Sequence, residues 1–279
     1  MAHIGILVNP LSGTGNAVEL GNWLATQLAC KEISHSLFVG NWPQMMDTFT
    51  DIWIVGGDGT VNYFLNHYTY SKTALSIFKG GTGNDFHWKL YGDISREEQF
   101  EKILSATARP IDAACCNNQI YINSSGIGFD GEVLRSMKAI RKLGGHIGYL
   151  WVVLKKIFSY REPEFSITVN GKQWHGKYLL VSANNSSRTG GGFLVTPKAL
   201  LDDAKLDLLL CKPLGLFKRL LYLPKIETGK HLALSCISYF QATDIKVSCE
   251  FPLYAQLDGE LIKEKTFHYT VLPAYLMIK

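Results

Sequence analysis

Three glycine-rich segments, each directly behind a short apolar run, restrict most strongly what this chain can become. They are Asn9-Pro10-Leu11-Ser12-Gly13-Thr14-Gly15, Gly56-Gly57-Asp58-Gly59-Thr60-Val61-Asn62 and Gly80-Gly81-Thr82-Gly83-Asn84-Asp85-Phe86. The runs ahead of them, 4–8, 52–55 and 75–78, read as strands, and 36–39 adds another. Helical stretches fall between at 17–29, 61–67 and 96–106, the last with Ser95 as its N-cap. This alternation predicts a parallel sheet with helices on its faces. In such a sheet the strand ends share one rim, so the loops should lie side by side. Glycine lets backbone N–H groups approach phosphate oxygens, helix N-termini add partial positive charge, and Thr60 and Thr82 add hydroxyl donors.

From about Ile111 the pattern changes to closely spaced strands, at 119–123, 165–169, 178–183, 206–211, 245–249, 254–257 and 267–272. Turn pairs such as Asn170-Gly171 and Asp258-Gly259 bound them. One long helix, 146–160, interrupts the series. The chain is thus expected to be α/β plus β: an α/β domain over 1–111 and a β-rich domain over 112–272. The last apolar run, 274–278, can close either sheet, so 273–279 is free to return to the first domain.

A chain of 279 residues can bury the cores of two domains. Its 47% hydrophobic and 19% charged residues argue against long disordered tails. The N-terminus has no cationic start, so a secretory signal is not expected. The apolar run at 147–154 is far shorter than the roughly 20 residues of a spanning helix. Six cysteines without a Cys-x-x-Cys pair read as reduced core residues of a cytoplasmic protein. The eight histidines show no spacing suited to a metal or a nucleophile relay.

The formal charge of +4 is local. Residues 135–161 hold seven Lys or Arg and no acid; removing those seven from 28 leaves 21 bases against 24 acids. The helix within this stretch can pack its apolar face on the β-rich domain, while its lysines suit an anionic membrane surface. Peripheral membrane association follows as the expectation. Nothing else supports nucleic acid as a partner.

The first loop lacks the Gly-Lys-Ser/Thr ending of a P-loop, and the second lacks the spacing of a dinucleotide fingerprint. A more specific likeness spans nearly the whole chain. Val8-Asn9-Pro10-x-Ser12-Gly13, Gly56-Gly57-Asp58-Gly59-Thr60-x-Asn62, Gly81-Thr82-Gly83-Asn84-Asp85-Phe86, Gly126-x-Gly128-Phe129-Asp130 and Leu257-Asp258-Gly259-Glu260 resemble, in order, the diacylglycerol kinase catalytic-domain family of bacterial soluble lipid kinases. The resemblance implies an N-terminal nucleotide-binding domain like that of NAD kinases and phosphofructokinases, and a C-terminal domain like a β-sandwich. It also implies transfer of the γ-phosphoryl group of ATP to a lipid hydroxyl, diacylglycerol-like or related.

Residue by residue, the resemblance assigns Asn9, Pro10, Leu11, Ser12 and Gly13, then Gly56, Gly57, Asp58, Gly59, Thr60, Val61 and Asn62, and then Thr82, to the ATP site. Asp58 would join a carboxylate and water network near the phosphates. The family's further contact near the end of the second strand, often threonine, falls on Phe38-Val39-Gly40-Asn41, and no residue there is assigned to it. By itself Asp258-Gly259 is a hairpin turn followed by a solvated acid. The resemblance makes Glu260 the acceptor of the substrate proton, with Asp258 orienting substrate or binding metal.

The acidic segment 200–207 is by itself a surface turn. It resembles the family's structural magnesium loop, which implies Mg2+ held by the Asp203 side chain and the carbonyls of Leu200 and Lys205. A carboxylate with carbonyls and waters suits that ion. The family has glycine where Ala204 stands. Two other readings use the same features: an NAD kinase, whose Asn-Glu-x-x-x-Asp motif Gly83-Asn84-Asp85-Phe86 does not fit, and a non-catalytic nucleotide or lipid sensor. Retention of Asp58 and Glu260 argues against the sensor. An edge of the β-rich domain can pair with a copy of itself, which leaves a homodimer open.

Overall fold

The computed structural model describes residues 3–68, 73–140 and 155–279. The chain divides into two units, Met1–Ala113 with Pro273–Lys279, and Ala114–Leu272.

In the first unit the order is β1 (Ile4–Val8), α1 (Asn16–Cys30), β2 (His35–Val39), β3 (Asp51–Gly56), α2 (Asp58–His67), β4 (Ala74–Lys79), α3 (Asp85–Tyr91) and α4 (Arg96–Ser105). The strands form a parallel sheet in the order β4-β3-β1-β2. Every residue of β1 and β3 is buried, as central parallel strands covered on both faces require. Trp53 on β3 packs between Phe78, at 5.1 Å, and Phe100 of α4, at 5.8 Å. The Ser95 hydroxyl accepts the Glu98 N–H at 3.1 Å and caps α4.

The last residues of the chain complete this sheet. Ile278 pairs in parallel with Leu75, and the Lys279 ammonium meets Asp51 at 2.6 Å. Tyr91 donates its hydroxyl proton to the Lys279 carbonyl at 2.7 Å. Ala274, at a φ of 49°, turns the chain into this position and donates its N–H to Asp112 Oδ1 at 2.8 Å.

The remaining elements are β5 (Arg109–Cys116), β6 (Gln119–Tyr121), β7 (Ser124–Gly128), α5 (Phe129–Ile140), β8 (Glu164–Val169), β9 (Lys172–Lys177), β10 (Leu180–Asn184), β11 (Leu206–Cys211), α6 (Leu216–Glu227), β12 (Ile237–Ala242), β13 (Asp244–Leu257) and β14 (Glu260–Ile278). In the second unit the strands are antiparallel, in the order β12-β11-β10-β7-β13-β14, with β8 on β13 and β9 on β8. Its core gathers Phe165, Ile167, Leu206, Leu208, Phe267 and Tyr269. Alternate residues of β8 face that core, the period expected of a half-buried strand.

Three expectations change in the structure. The runs 245–249 and 254–257 are one strand, β13, whose register slips between Ser248 and Leu253 where Pro252 removes a donor. Cys30 is exposed at the end of α1 and is not a core residue, although Cys116 and Cys211 are buried. The stretch 135–161 lacks acids in sequence only, because Glu132 takes both Arg135, at 2.9 Å, and Lys156, at 2.7 Å. The expected helix 146–160 falls mostly on 141–154, outside the described residues, while 155–159 are helical. Among the described residues no helix is long and apolar enough to cross a membrane.

Candidate functional site

In the first unit the three glycine segments follow β1, β3 and β4, and they touch backbone to backbone. A Cβ on Gly13 would lie 2.2 Å from the Gly80 carbonyl oxygen, and one on Gly81 would lie 2.5 Å from the Gly57 Cα. Only glycine permits such approaches, and Gly13 also has a φ of 57°. The Gly80 N–H donates to the Gly56 carbonyl at 2.9 Å, which carries the sheet ladder into the loops.

Side chains then lock the first loop to the second. Asn9 Oδ1 accepts the Leu11 N–H at 3.0 Å, an Asx turn, while Asn9 Nδ2 donates to Thr60 Oγ1 at 2.9 Å. Ser12 Oγ lies 3.1 Å from the same Thr60 hydroxyl. Thr60 is buried and holds loops together; the hydroxyl expected to face a ligand is engaged by Asn9 and Ser12. Val61 and Asn62 are buried in α2, whereas Pro10, Leu11, Gly59 and Thr82 are exposed.

Asp58 links the second loop to the third. Its two carboxylate oxygens accept the N–H groups of Asp85, at 3.0 Å, and Phe86, at 2.9 Å, which open α3. Asn84, at a φ of 51°, closes the third loop on itself, accepting from Gly81 N–H at 2.9 Å and donating to the Gly81 carbonyl at 2.7 Å. The result is a rim of glycine amides at the N-terminus of α2, held rigid by Asn9, Asp58, Thr60 and Asn84. Such a rim presents N–H donors and a positive helix end to an anion.

In the second unit the Asp258-Gly259 turn joins β13 to β14 and presents Glu260 at its exposed end. Asp258 itself is buried, at a φ of 48°. Its Oδ1 accepts the N–H groups of Asn123 and Ser124, each at 2.9 Å, and its Oδ2 accepts that of Ile122 at 2.8 Å. This carboxylate fixes the turn against the entrance to β7.

Gln256, just outside the Leu257-Asp258-Gly259-Glu260 motif, completes the support. Its Oε1 accepts the Gly259 N–H at 2.9 Å, and its Nε2 donates to Ser124 Oγ at 3.1 Å and Asp130 Oδ2 at 3.0 Å. Ser124 Oγ in turn pairs at 2.6 Å with Thr189, at the head of the Gly190-Gly191-Gly192 loop. A glutamine buried in an apolar strand, two residues before Asp258, was the available signal. Burial pushes the Asp130 carboxyl up to about 6, against the Gln256 hydrogen bond, which favours the charged form. A Cβ on Gly126 would lie 2.2 Å from Asp130 Oδ2, which explains the glycine in that motif.

At the acidic segment, Asp203 Oδ1 accepts the Lys205 N–H at 3.1 Å and Oδ2 accepts from Gln241 Nε2 at 3.2 Å. Each oxygen retains lone pairs for a cation. Ala204 adopts a φ of 56°, so the turn that the family builds with glycine forms here with alanine. Leu200 is exposed beside it. A half-buried carboxylate on a closed turn suits one magnesium ion completed by carbonyls and water. Among the described residues no three His, Cys, Asp or Glu side chains form a metal cage.

Beneath α6 lies an apolar cavity of about 80 Å3, lined by Phe129, Leu180, Leu209, Leu223 and Ile226 among others.

Comparison with known proteins accounts for both units. Residues 3–116 match the diacylglycerol kinase catalytic domain, and residues 123–279 match the YegS C-terminal NAD kinase beta sandwich-like domain. A Shewanella frigidimarina protein named "Probable lipid kinase YegS-like" is 26% identical over 98% of this chain and 92% of its own length. The diacylglycerol kinase of Bacillus subtilis is 28% identical over 74% of this chain and 69% of its own. A crystal structure of a diacylglycerol kinase from Bacillus anthracis str. Sterne aligns with a TM-score of 0.77 at 23% identity, covering 99% of this chain and 96% of that one, and so shares the fold.

Proposed function

The chain belongs to the family of kinases that joins a diacylglycerol kinase catalytic domain to a YegS-type β-sandwich-like domain, and on that premise we propose that it transfers the γ-phosphoryl group of ATP to a lipid hydroxyl. The lipid is diacylglycerol-like or related, and is met at a membrane surface. The observation that carries this reading is the rim of glycine amides in the first unit, where loop backbones approach so closely that no Cβ fits.

In this reading Asn9 to Gly13, Gly56 to Asn62 and Thr82 line the triphosphate site, with the helix end at Gly57 to Gly59 toward the phosphates, since Pro10 has no N–H and those of Asn9, Leu11, Ser12, Thr60 and Val61 are bonded within the fold. Asp58 positions the second and third loops. Glu260 takes the proton from the substrate hydroxyl as its oxygen bonds to the γ-phosphorus; the bond from that phosphorus to the β–γ bridging oxygen breaks, and ADP leaves. Asp258 and Gln256 act through Glu260, as positioning residues. Asp203, with the carbonyls of Leu200 and Lys205, would hold Mg2+. That ion would be structural; a separate magnesium bound with the nucleotide would neutralise charge on the phosphate oxygens. The apolar cavity beneath α6 suits part of an acyl chain.

The test is transfer from labelled ATP into a total lipid extract, run beside a Glu260→Ala variant. A labelled lipid is expected from the unmodified protein, with labelling reduced by about 10²–10⁴-fold in the variant. Equal labelling by both would remove Glu260 from its role. Labelled NADP in place of lipid would move the acceptor to a dinucleotide.

A further inference from the structure

Helix α6 carries two apolar stripes, and the fold covers one of them. Tyr222, Leu223 and Ile226 line the cavity below the helix. Leu216, Phe217, Leu220 and Leu221 are 42%, 78%, 36% and 54% exposed. Their spacing keeps these four on a common side of a helix with 3.6 residues per turn. The helix is clamped in place. Arg219 donates to the carbonyls of Ile157, at 2.8 Å, and Tyr160, at 3.0 Å, and pairs with Glu162 at 2.6 Å. That clamp fixes 155–162 against α6 and with it Phe158, which is 61% exposed. A scattered exposed leucine needs no explanation, but a continuous stripe of large apolar side chains does.

The charge around the stripe is one-sided. Segments 155–162 and 212–230 together hold eight Lys or Arg against two Glu, and two of the eight bases, Lys156 and Arg219, are neutralised by Glu132 and Glu162. Lys218 and Lys225 are exposed on α6 itself. A second copy docking by two-fold symmetry would bring basic face to basic face, which electrostatics opposes. An anionic lipid surface matches both properties: apolar side chains enter the acyl boundary while lysines meet headgroup phosphates.

We infer that the outer face of α6, with Phe158, is the surface by which this chain docks on the anionic leaflet of a bilayer. This rests on the reading that the acceptor is a membrane lipid. It places the contact on a helix that also roofs the apolar cavity.

The test is co-sedimentation of the full chain, without nucleotide, with phosphatidylcholine vesicles containing phosphatidylglycerol. The variants are Phe217→Ser/Leu221→Ser and Lys218→Glu, each checked for an unchanged melting temperature. The double variant should lose at least about tenfold in partitioning, and Lys218→Glu about fivefold, with wild-type binding falling as salt rises or as phosphatidylglycerol is omitted. Wild-type partitioning by both variants, binding indifferent to anionic lipid, or no vesicle binding by the unmodified chain would each overturn the inference. So would a dimer in sedimentation equilibrium that Phe217→Ser/Leu221→Ser splits without changing vesicle binding. Phosphorylation of lipid dispersed in detergent micelles separates the two claims. Its absence beside intact vesicle binding sinks the kinase reading alone, and its presence beside unaltered binding of the variants sinks the docking surface alone.

Discussion

Asp258 and Ser124 bind each other in both directions: the Asp258 N–H donates to the Ser124 carbonyl at 2.9 Å, and the Ser124 N–H donates back to Asp258 Oδ1 at 2.9 Å. The turn that presents Glu260 is therefore anchored from below by a buried carboxylate. The two acids of the motif should separate in experiment. Asp258→Ala leaves three backbone donors without their acceptor and should cost about 3 kcal/mol or more in urea unfolding. Glu260→Gln, at an exposed position, should change stability by about 0.5 kcal/mol or less while lowering turnover by about 10²–10⁴-fold. Full stability in Asp258→Ala would refute the anchoring role.

The glycine contacts predict graded effects. A Cβ on Gly81 meets the Gly57 Cα at 2.5 Å, where backbone cannot give way. Gly81→Ala should destabilise by about 1–3 kcal/mol and weaken ATP binding in calorimetric titration. At Gly15 the φ is 98° but nothing lies within 4 Å of a Cβ, so Gly15→Ala should show backbone strain of about 1 kcal/mol with smaller loss of ATP affinity. Equal affinity losses would mean that the close approach of loops does not shape the site.

Asp130 sets a pH dependence of defined sign. Its folded pKa of about 6 stands above the ordinary carboxyl value of about 3.9, so the folded state binds more protons between those limits. Stability should fall as pH rises through that window, by up to about 3 kcal/mol, and this contribution should be flat above pH 7. Asp130→Asn retains an acceptor for Gln256 and should flatten the profile between pH 4 and 6. Melting temperatures measured across that range decide it; an unchanged slope in the variant would assign the dependence to other groups.

The Asp203 turn predicts a magnesium effect that does not require turnover. At about 100 times its dissociation constant, a ligand bound only by the folded state adds about 2.7 kcal/mol. Added Mg2+ should raise the melting temperature of the unmodified chain, and chelation should reverse the rise. Asp203→Ala should abolish the response. Equal shifts in both proteins would place the ion elsewhere.

The strands of the first unit were legible because β1, β3 and β4 are short apolar runs punctuated by glycine, and burial on both faces leaves few polar interruptions. The C-terminal run 274–278 was equally apolar, but which sheet it joins depends on the Leu75 pairing, a contact about two hundred residues away in sequence. Strand β7 is not legible because Ser124-Ser125-Gly126-Ile127-Gly128 has almost no β-forming side chains; it is held by pairing with β10 and β13, and Gly126 leaves room for Asp130. Helix α6 was missed because Gly215 and Pro224 look like turn residues and its apolar positions fall on two stripes, which blurs the period. In the candidate site the motifs named Asp258 and Thr60, but their roles as a backbone anchor and a loop tie emerge only from partners distant in sequence.

Because Ile278 and Lys279 are bound to Leu75, Asp51 and Tyr91, the first unit is a discontinuous domain. On the ribosome, its sheet must wait for its last strand until the entire second unit has been synthesised. Early folding of the emerging N-terminal residues therefore yields an open-edged intermediate, and deletion of the final seven residues should expose that edge to aggregation while the interior of the second unit stays intact.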